Sequence, residues 1–354
     1  MALSAIPLVR AADTADSVVL EEVTVTAQKR EQNIQDVGIS ITALTGNQLT
    51  ELGYNSTADI MAQTPSMKML AFSPSLTVFN IRGVSQNDFA DHYEPPVAVF
   101  VDEAYISSQG AVNDILFDLE RAEVLRGPQG TLFGRNATGG AIQFVSRKPT
   151  DQPEGYFEAS GGSFGQANFQ GAVNGPLADR LDARLAFATV HNEGWLRNAD
   201  GPDENANNDF AFRLQFAYKP SDAASLLLSL HGSHNNDLSG GYSHESLYEN
   251  AQGLGTEVPA NVNYYGTCPG CDLFGYKANG DPWHQAYDRV GFLRRSIDGA
   301  TFKATWSLGW ATLTSITDYL AMSKRFGSDS DASPNPVLTY DTDQHLNQAS
   351  QEVR

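Results

Sequence analysis

The sequence predicts a small α+β domain followed by an antiparallel transmembrane β-barrel. Three observations carry this reading. The residue pattern changes period at Pro149, from mixed helical and apolar runs to alternation. Within the alternating part, Phe210, Phe212, Leu214, Phe216 and Tyr218 share one face of an extended run, with Ala211, Arg213, Gln215, Ala217 and Lys219 on the other. Turns between such runs are short on one side, as at Asn174-Gly175-Pro176 and Lys219-Pro220-Ser221-Asp222, and long on the other, above all from Asn235 to Ile297. Short turns at one rim and long loops at the other fit an outer-membrane barrel. A soluble β-sandwich also alternates, but the aromatic face opposite Arg and Gln favours the membrane version.

Composition narrows the function classes. The 354 residues carry 42 acids against 23 bases, a net charge of -19, which argues against a nucleic-acid partner. With 18 Phe, 13 Tyr and 4 Trp the chain is no disordered acidic tail. No apolar run is long enough for a transmembrane helix, an absence that a barrel shares.

In chain order, residues 1–20 read as the tail of a secretory signal, with Val9-Arg10-Ala11 as a small-x-small cleavage site, or as a plain disordered terminus. Glu21-Glu22-Val23-Thr24-Val25-Thr26-Ala27 is a compact extended piece, two acids before alternating β-branched residues, suited to pairing with another protein's sheet. Residues 34–150 form the small domain. Strands are predicted at Val37–Ala43, Val78–Ile81, Val97–Val101, Leu119–Leu125 and Ala141–Val145, and helices at Asn47–Leu52 and Thr57–Ala62. Residues 151–354 form the first part of the barrel. Its strands are predicted at Gly155–Gly161, Ala167–Val173, Leu181–Ala188, Asp209–Lys219, Ala224–Gly232, Thr301–Leu308, Ala311–Tyr319 and Gln348–Arg354.

Between Gly127 and Gly140 stand five glycines, at 127, 130, 134, 139 and 140. Gly134 to Gly139 has the first spacing of a phosphate loop, but Gly140 and Ala141 stand where Lys and Ser/Thr are needed. The glycines therefore read as tight turns. Cys268-Pro-Gly-Cys271 admits a clamped loop, a redox dithiol or half a zinc site. No second pair completes a metal site, and in an exported protein a Cys268–Cys271 disulfide is favoured. His231 and His234 lie three apart on an extended run, so they face opposite sides and form no metal pair. There is no nucleophile motif, and the carboxylates are scattered, so no catalytic group and no cofactor are expected.

With these residues in place the chain resembles the N-terminal portion of a TonB-dependent outer-membrane receptor. Glu21–Ala27 resembles the TonB box. Val78-Phe79-Asn80-Ile81-Arg82-Gly83-Val84, Val97–Tyr105 and Glu123-Val124-Leu125-Arg126-Gly127-Pro128-Gln129-Gly130-Thr131-Leu132-Phe133-Gly134 resemble successive blocks of that family's plug domain. The resemblance implies a barrel of roughly 22 strands with a plugged lumen, so about eight strands would be a truncated piece. It also implies a bacterial outer-membrane location and contact with outer-membrane lipid. Uptake of a scarce nutrient, foremost a ferric siderophore, would be energised by periplasmic TonB acting on the box. Haem, cobalamin, nickel chelates and oligosaccharides use the same architecture. In the family, arginines placed like Arg82 and Arg126 meet barrel glutamates, and Glu352 is a possible partner on this chain. Candidate ligand contacts are Asn87, Phe89, His92 and Tyr93. Two rival readings are a secreted β-rich binding or adhesion protein and a receptor that also signals. The latter carries an extra domain before the box, where only about 20 residues precede Glu21.

Overall fold

The computed structural model describes residues 23–26, 29–30, 32–70, 75–86, 93–112 and 115–354. It opens on two short paired strands, β1 (Thr24–Val25) and β2 (Gln32–Asn33). After β3 (Ile41–Thr45) come helices α1 (Gly46–Glu51) and α2 (Thr57–Gln63). Both helices start for a local reason. Thr45 with Gln48, and Ser56 with Asp59, form reciprocal capping boxes that satisfy first-turn N–H groups. Next come β4 (Met67–Leu70) paired with β5 (Val78–Ile81), then β6 (Val97–Val101), β7 (Ala104–Ile106), β8 (Leu119–Arg126), α3 (Gly130–Phe133) and β9 (Gly140–Ser146).

These strands build a five-stranded sheet in the order β3-β8-β9-β6-β7, parallel only between β6 and β9. Strands β6 and β9 are apolar almost continuously because both faces are covered. Val99, Val124, Ile142 and Phe144 join one buried cluster, while Ala98, Phe100, Leu125 and Ala141 join another.

The glycine-rich stretch is the turn between β8 and β9. Gly127, Gly134 and Gly140 all have positive φ, at 94°, 77° and 153°. At Gly140 a Cβ would stand 2.2 Å from the Leu125 carbonyl oxygen and 3.0 Å from Ile81 Cδ1. Gly140→Ala is therefore expected to destabilise the small domain by at least roughly 1–3 kcal/mol from backbone strain alone, with the contact adding to it. Gly130, with nothing within 4 Å of its would-be Cβ, is the matched control. Urea unfolding of this domain checks the pair, with a lowered midpoint for Gly140→Ala and none for Gly130→Ala.

The remaining chain is a wall. It runs through β10 (Glu154–Gly161), β11 (Ala167–Ala178) and β12 (Leu181–Asn192), then a two-residue loop strand β13 (Arg197–Asn198), then β14 (Asn207–Ser221) and β15 (Ala224–Leu238). A long loop carries β16 (Leu247–Glu249), β17 (Gly255–Glu257) and β18 (His284–Gln285). The wall resumes with β19 (Phe292–Ser307), β20 (Thr312–Asp329) and β21 (Thr339–Val353). Eight of these strands form one sheet in the order β10-β11-β12-β14-β15-β19-β20-β21, each antiparallel to its chain neighbour. No helix among the described residues is long and apolar enough to cross a membrane, which says nothing of a β-barrel.

Alternation sorts the two faces as predicted. Asp209, Ala211, Arg213 and Gln215 point inward and are buried, the last three against the small domain, while Phe210 and Tyr218 are exposed. Leu185, Leu230, Phe302 and Tyr319 extend the exposed apolar band to other strands, which is the lipid-facing surface of such a wall. Trp306 and Trp310 stand at the short-turn rim, Trp310 almost fully exposed, where amphipathic rings suit the membrane boundary.

The structure moves several predicted boundaries. Asn174-Gly175-Pro176 is not a turn. β11 continues to Ala178 past a bulge at Pro176, and the turn falls at Asp179-Arg180. A bulge releases proline from donating to the ladder. β15, β19, β20 and β21 all run further toward the long-loop rim than predicted, because their outward residues there turn polar, as at His234 and Asn236. Hydrophobic contrast vanishes while the ladder persists. The strand expected at Val37–Ala43 begins only at Ile41, after a 3-10 turn at Ile34–Asp36.

Candidate functional site

Two contacts of the small domain matter for function: the way it holds its own N-terminal segment, and the way it is held by the wall. Of the expected box, Glu21, Glu22 and Ala27 lie outside the described residues; Val23, Thr24, Val25 and Thr26 are described. Val25 is fully buried in the cluster of Ala98, Phe100, Leu125 and Phe133. Glu123, itself fully buried on β8, accepts from the Thr26 N–H at 2.8 Å and the Thr26 hydroxyl at 3.1 Å. Arg121 donates to the same Glu123 oxygen at 2.7 Å and to the Thr26 hydroxyl at 3.3 Å, and Gln143 also reaches that hydroxyl. Further along, Lys29 lies over the rings of Phe100 and Phe133, 5.0 Å from each centroid, and pairs with Glu352 of the wall at 3.2 Å. The segment is thus stowed by one carboxylate clasp, one apolar plug and one cation.

The second contact is a set of polar bridges across the domain–wall interface. Arg184 of β12 grips Asp118 with two parallel bonds, Nε at 2.8 Å and Nη2 at 2.5 Å, and sends Nη1 to Glu154 at 2.9 Å. Both members of the Arg184–Asp118 pair are buried, and the fork fits a carboxylate. Arg213 lies 4.7 Å from the Phe117 ring, and Gln215 donates to Ser146 Oγ at 3.1 Å. Glu103 meets Lys303 and Arg354. Toward the long-loop rim, the buried Arg295 donates to the Gly110 and Val112 carbonyls and the buried Lys324 to Ser75. In most of these bridges the wall supplies the cations, and the small domain the carboxylates and carbonyls.

Close cations, one from within the domain and others from the wall, set the titration of two small-domain acids. Burial pushes the Asp102 carboxyl up, but Lys148 and Arg213, with the Lys148 and Ser146 hydrogen bonds, outweigh it and hold it below the ordinary carboxylate range. Glu103 is likewise held down by Lys303 and Arg354 against its burial. Both are cases in which a close cation defeats desolvation. A depressed carboxylate stabilises above its ordinary pKa and ceases to do so as the pH falls through its folded value.

Among the described residues, neither Arg82 nor Arg126 meets Glu352. Arg126 donates to the Pro65 and Ile41 carbonyls, at 3.3 and 3.2 Å, within its own domain. Arg82, at φ 53°, is exposed, with Nη1 3.2 Å from the position a Gly127 Cβ would take. Glu352 faces Lys29 and Arg354 instead. Both arginines stand at strand ends, where edge carbonyls and solvent take up a guanidinium. The fork that does cross the interface has the opposite polarity, with arginine on the wall and aspartate on the domain.

Sequence reasoning missed Arg184, although a signal existed: it sits with Asp182, Ala186 and Ala188 on the inward face of its strand, where a charge implies a partner inside. Asp118 gave no signal. Among the candidate ligand contacts, Asn87, Phe89 and His92 lie outside the described residues, and Tyr93 is about half exposed. Beside it, Glu94 ties to Arg135 at 2.7 Å and to Asn136 at 2.5 Å. His231 packs inward against Gly299, and His234 bonds Ser296 on the outer face, so the two imidazoles do not meet. Cys268 and Cys271 are joined, with Cα atoms 5.2 Å apart, in the long loop.

Residues 33–141 match the TonB-dependent receptor plug domain. The pesticin receptor of Yersinia pestis is 30% identical over 159 residues, 44% of this chain and 23% of that protein. The ferrioxamine receptor of Yersinia enterocolitica is 25% identical over 272 residues, 74% of this chain and 34% of that protein. The chain thus spans about a quarter to a third of the length of these relatives. Among solved structures, the ferric yersiniabactin uptake receptor from Yersinia pestis superposes with a TM-score of 0.70 at 20% identity, covering 89% of this chain and 45% of that one. The Pseudomonas aeruginosa receptor bound to pyoverdine gives 0.68 at 16%, covering 93% and 45%. At such identities the likeness is one of fold. Joined to the plug motif and to a wall that shields it, it places the protein in the outer membrane: the chain carries a TonB-dependent receptor plug domain and matches the N-terminal portion of a TonB-dependent outer-membrane receptor.

Proposed function

We propose that this chain is the plug and first wall strands of a receptor that imports a ferric siderophore, with TonB drawing on the Val23–Thr26 segment. The observation that carries the coupling is the stowed β1. A two-residue strand held by side chains, at the head of a domain seated in a wall, is a detachable handle. Strand addition needs free backbone N–H and C=O groups, which undocking from Glu123 and β2 would provide. The siderophore is supported by the names of two relatives, receptors for ferripyoverdine and ferrioxamine. Import breaks no bond in the cargo, so this reading needs no catalytic group.

The test uses the full-length receptor in cells that depend on it for iron. Val25→Pro removes a backbone donor from the handle. Expected is loss of ferric-siderophore uptake, by roughly tenfold or more, with surface binding of the chelate unchanged. Uptake equal to wild type, or uptake that persists without TonB, overturns the coupling. Failure to bind any ferric chelate, with binding of haem, cobalamin or an oligosaccharide instead, overturns the choice of cargo.

A further inference from the structure

The long-loop rim contains a buried carboxylate that neither the plug contacts nor the proposed import uses. Glu204, in the loop spanning 193–206, is fully buried. Its backbone pairs with Leu196 across its own loop. Its Oε1 accepts from the Gly291 N–H at 3.1 Å, at the end of the long loop spanning 239–291. A Cβ on Gly240, at the start of that long loop, would meet Glu204 Cβ at 2.8 Å, so both stems of the long loop close around this one side chain. Its other oxygen, Oε2, is buried without a hydrogen-bond partner.

The surroundings are apolar and acidic. Leu196, Tyr287 and Ala332 form a small cluster contributed by three loops, with Tyr242 packed on it. Tyr287 donates its hydroxyl to the Tyr242 carbonyl at 2.6 Å, and Asp288 N–H donates to Asp329 at 3.0 Å, tying in the loop spanning 330–338. The ionisable groups acting on Glu204 are Asp329 and the Tyr287 phenol. The lysine and arginines of the three loops are engaged elsewhere: Arg197 with Asp203, Arg289 with Asp341, and Lys277 with the Ala260 and Pro269 carbonyls. The two loop imidazoles face Asp272 and Asp281.

We propose that Glu204 is a proton-operated latch that holds the three external loops together while protonated and lets them part when ionised. One backbone donor cannot compensate a buried carboxylate anion, whereas a neutral carboxyl suits an apolar pocket. Burial, opposed by the Gly291 bond and reinforced by Asp329, pushes its pKa from 4.5 up to about 7. With the closed-state value raised, closure takes up a proton. The closed form is therefore fully favoured below about 4.5, weakens as the pH rises toward about 7, and is level above that.

Thiol labelling of Leu196→Cys in the full-length receptor, normalised to an exposed reference thiol in the same protein, reads loop opening. The normalised rate is expected to rise about tenfold per pH unit within that window. Adding Glu204→Gln, which keeps the shape and stays neutral, should flatten the profile at the slow limit. Adding Asp329→Asn, which leaves Glu204 in place but removes the neighbouring charge, should move the transition to lower pH. A flat profile without either change, an unaltered slope with Glu204→Gln, or an unmoved midpoint with Asp329→Asn overturns the latch.

Discussion

Asp118→Ala is expected to loosen the plug within its wall by roughly 3–5 kcal/mol, because it strands a guanidinium that has already left water. Arg184 is buried and spends two of its three nitrogens on Asp118. Only the bond to the half-exposed Glu154 would remain. The reverse change, Arg184→Met, leaves the Asp118 carboxylate buried in a backbone already held at φ 48°. Each single change should therefore be costly while the pair is not. Apolar residues of similar volume in place of both members of a buried ion pair are often neutral or stabilising. The measurement is a double-mutant cycle on the full-length receptor, reading hydrogen exchange of the β8 and β9 amides. The single variants Asp118→Leu and Arg184→Met should each raise the exchange of plug amides by roughly a hundred- to several-thousand-fold, and the two together should return it most of the way. Equal exchange in all four proteins would show that the fork is ornamental and that the other bridges hold the plug.

The reversed polarity of this fork shows what sequence could and could not reveal. Existence and facing of the eight wall strands were legible because lipid on one side and a plug on the other force period-two contrast, as at Phe210–Tyr218; the short loop strands β13, β16, β17 and β18 were not. The plug was legible through its glycines and its turn chemistry, since Gly127 and Gly140 stand where only glycine sits without strain. Pairing across the interface was not legible. Whether Arg126 reaches a wall glutamate or the carbonyl of Ile41 depends on where strand ends fall in three dimensions, and no local pattern encodes that. The inward charge at Arg184 was a readable anomaly, a long cation beside Asp182, Ala186 and Ala188 on a buried face, but its partner sits in a loop whose residues carry no periodicity. The box was readable as an extended piece. Its clasp, a glutamate 97 positions away from Thr26, was not.

That clasp sets how readily the handle comes free. Glu123→Ala removes the acceptor for the Thr26 N–H, the Thr26 hydroxyl and Arg121 Nε together. Stranding buried donors costs roughly 1–3 kcal/mol, and here the segment has an escape, since it need only lift away from β2 and the Phe100–Phe133 pocket. The undocked population of β1 is thus expected to rise by about 5- to 150-fold. A cysteine at Val25, fully buried when docked, reports this directly through its labelling rate, compared with and without Glu123→Ala. A second cysteine at Val124, buried in the plug core, must stay protected, so that local release is told apart from unfolding of the plug. Faster labelling at 25 with none at 124 makes Glu123 the residue that holds the segment docked. Equal labelling at 25 in both backgrounds would place the hold in Val25's own burial and in the Lys29–Glu352 pair. Lys29→Ala would then be the variant that frees the segment.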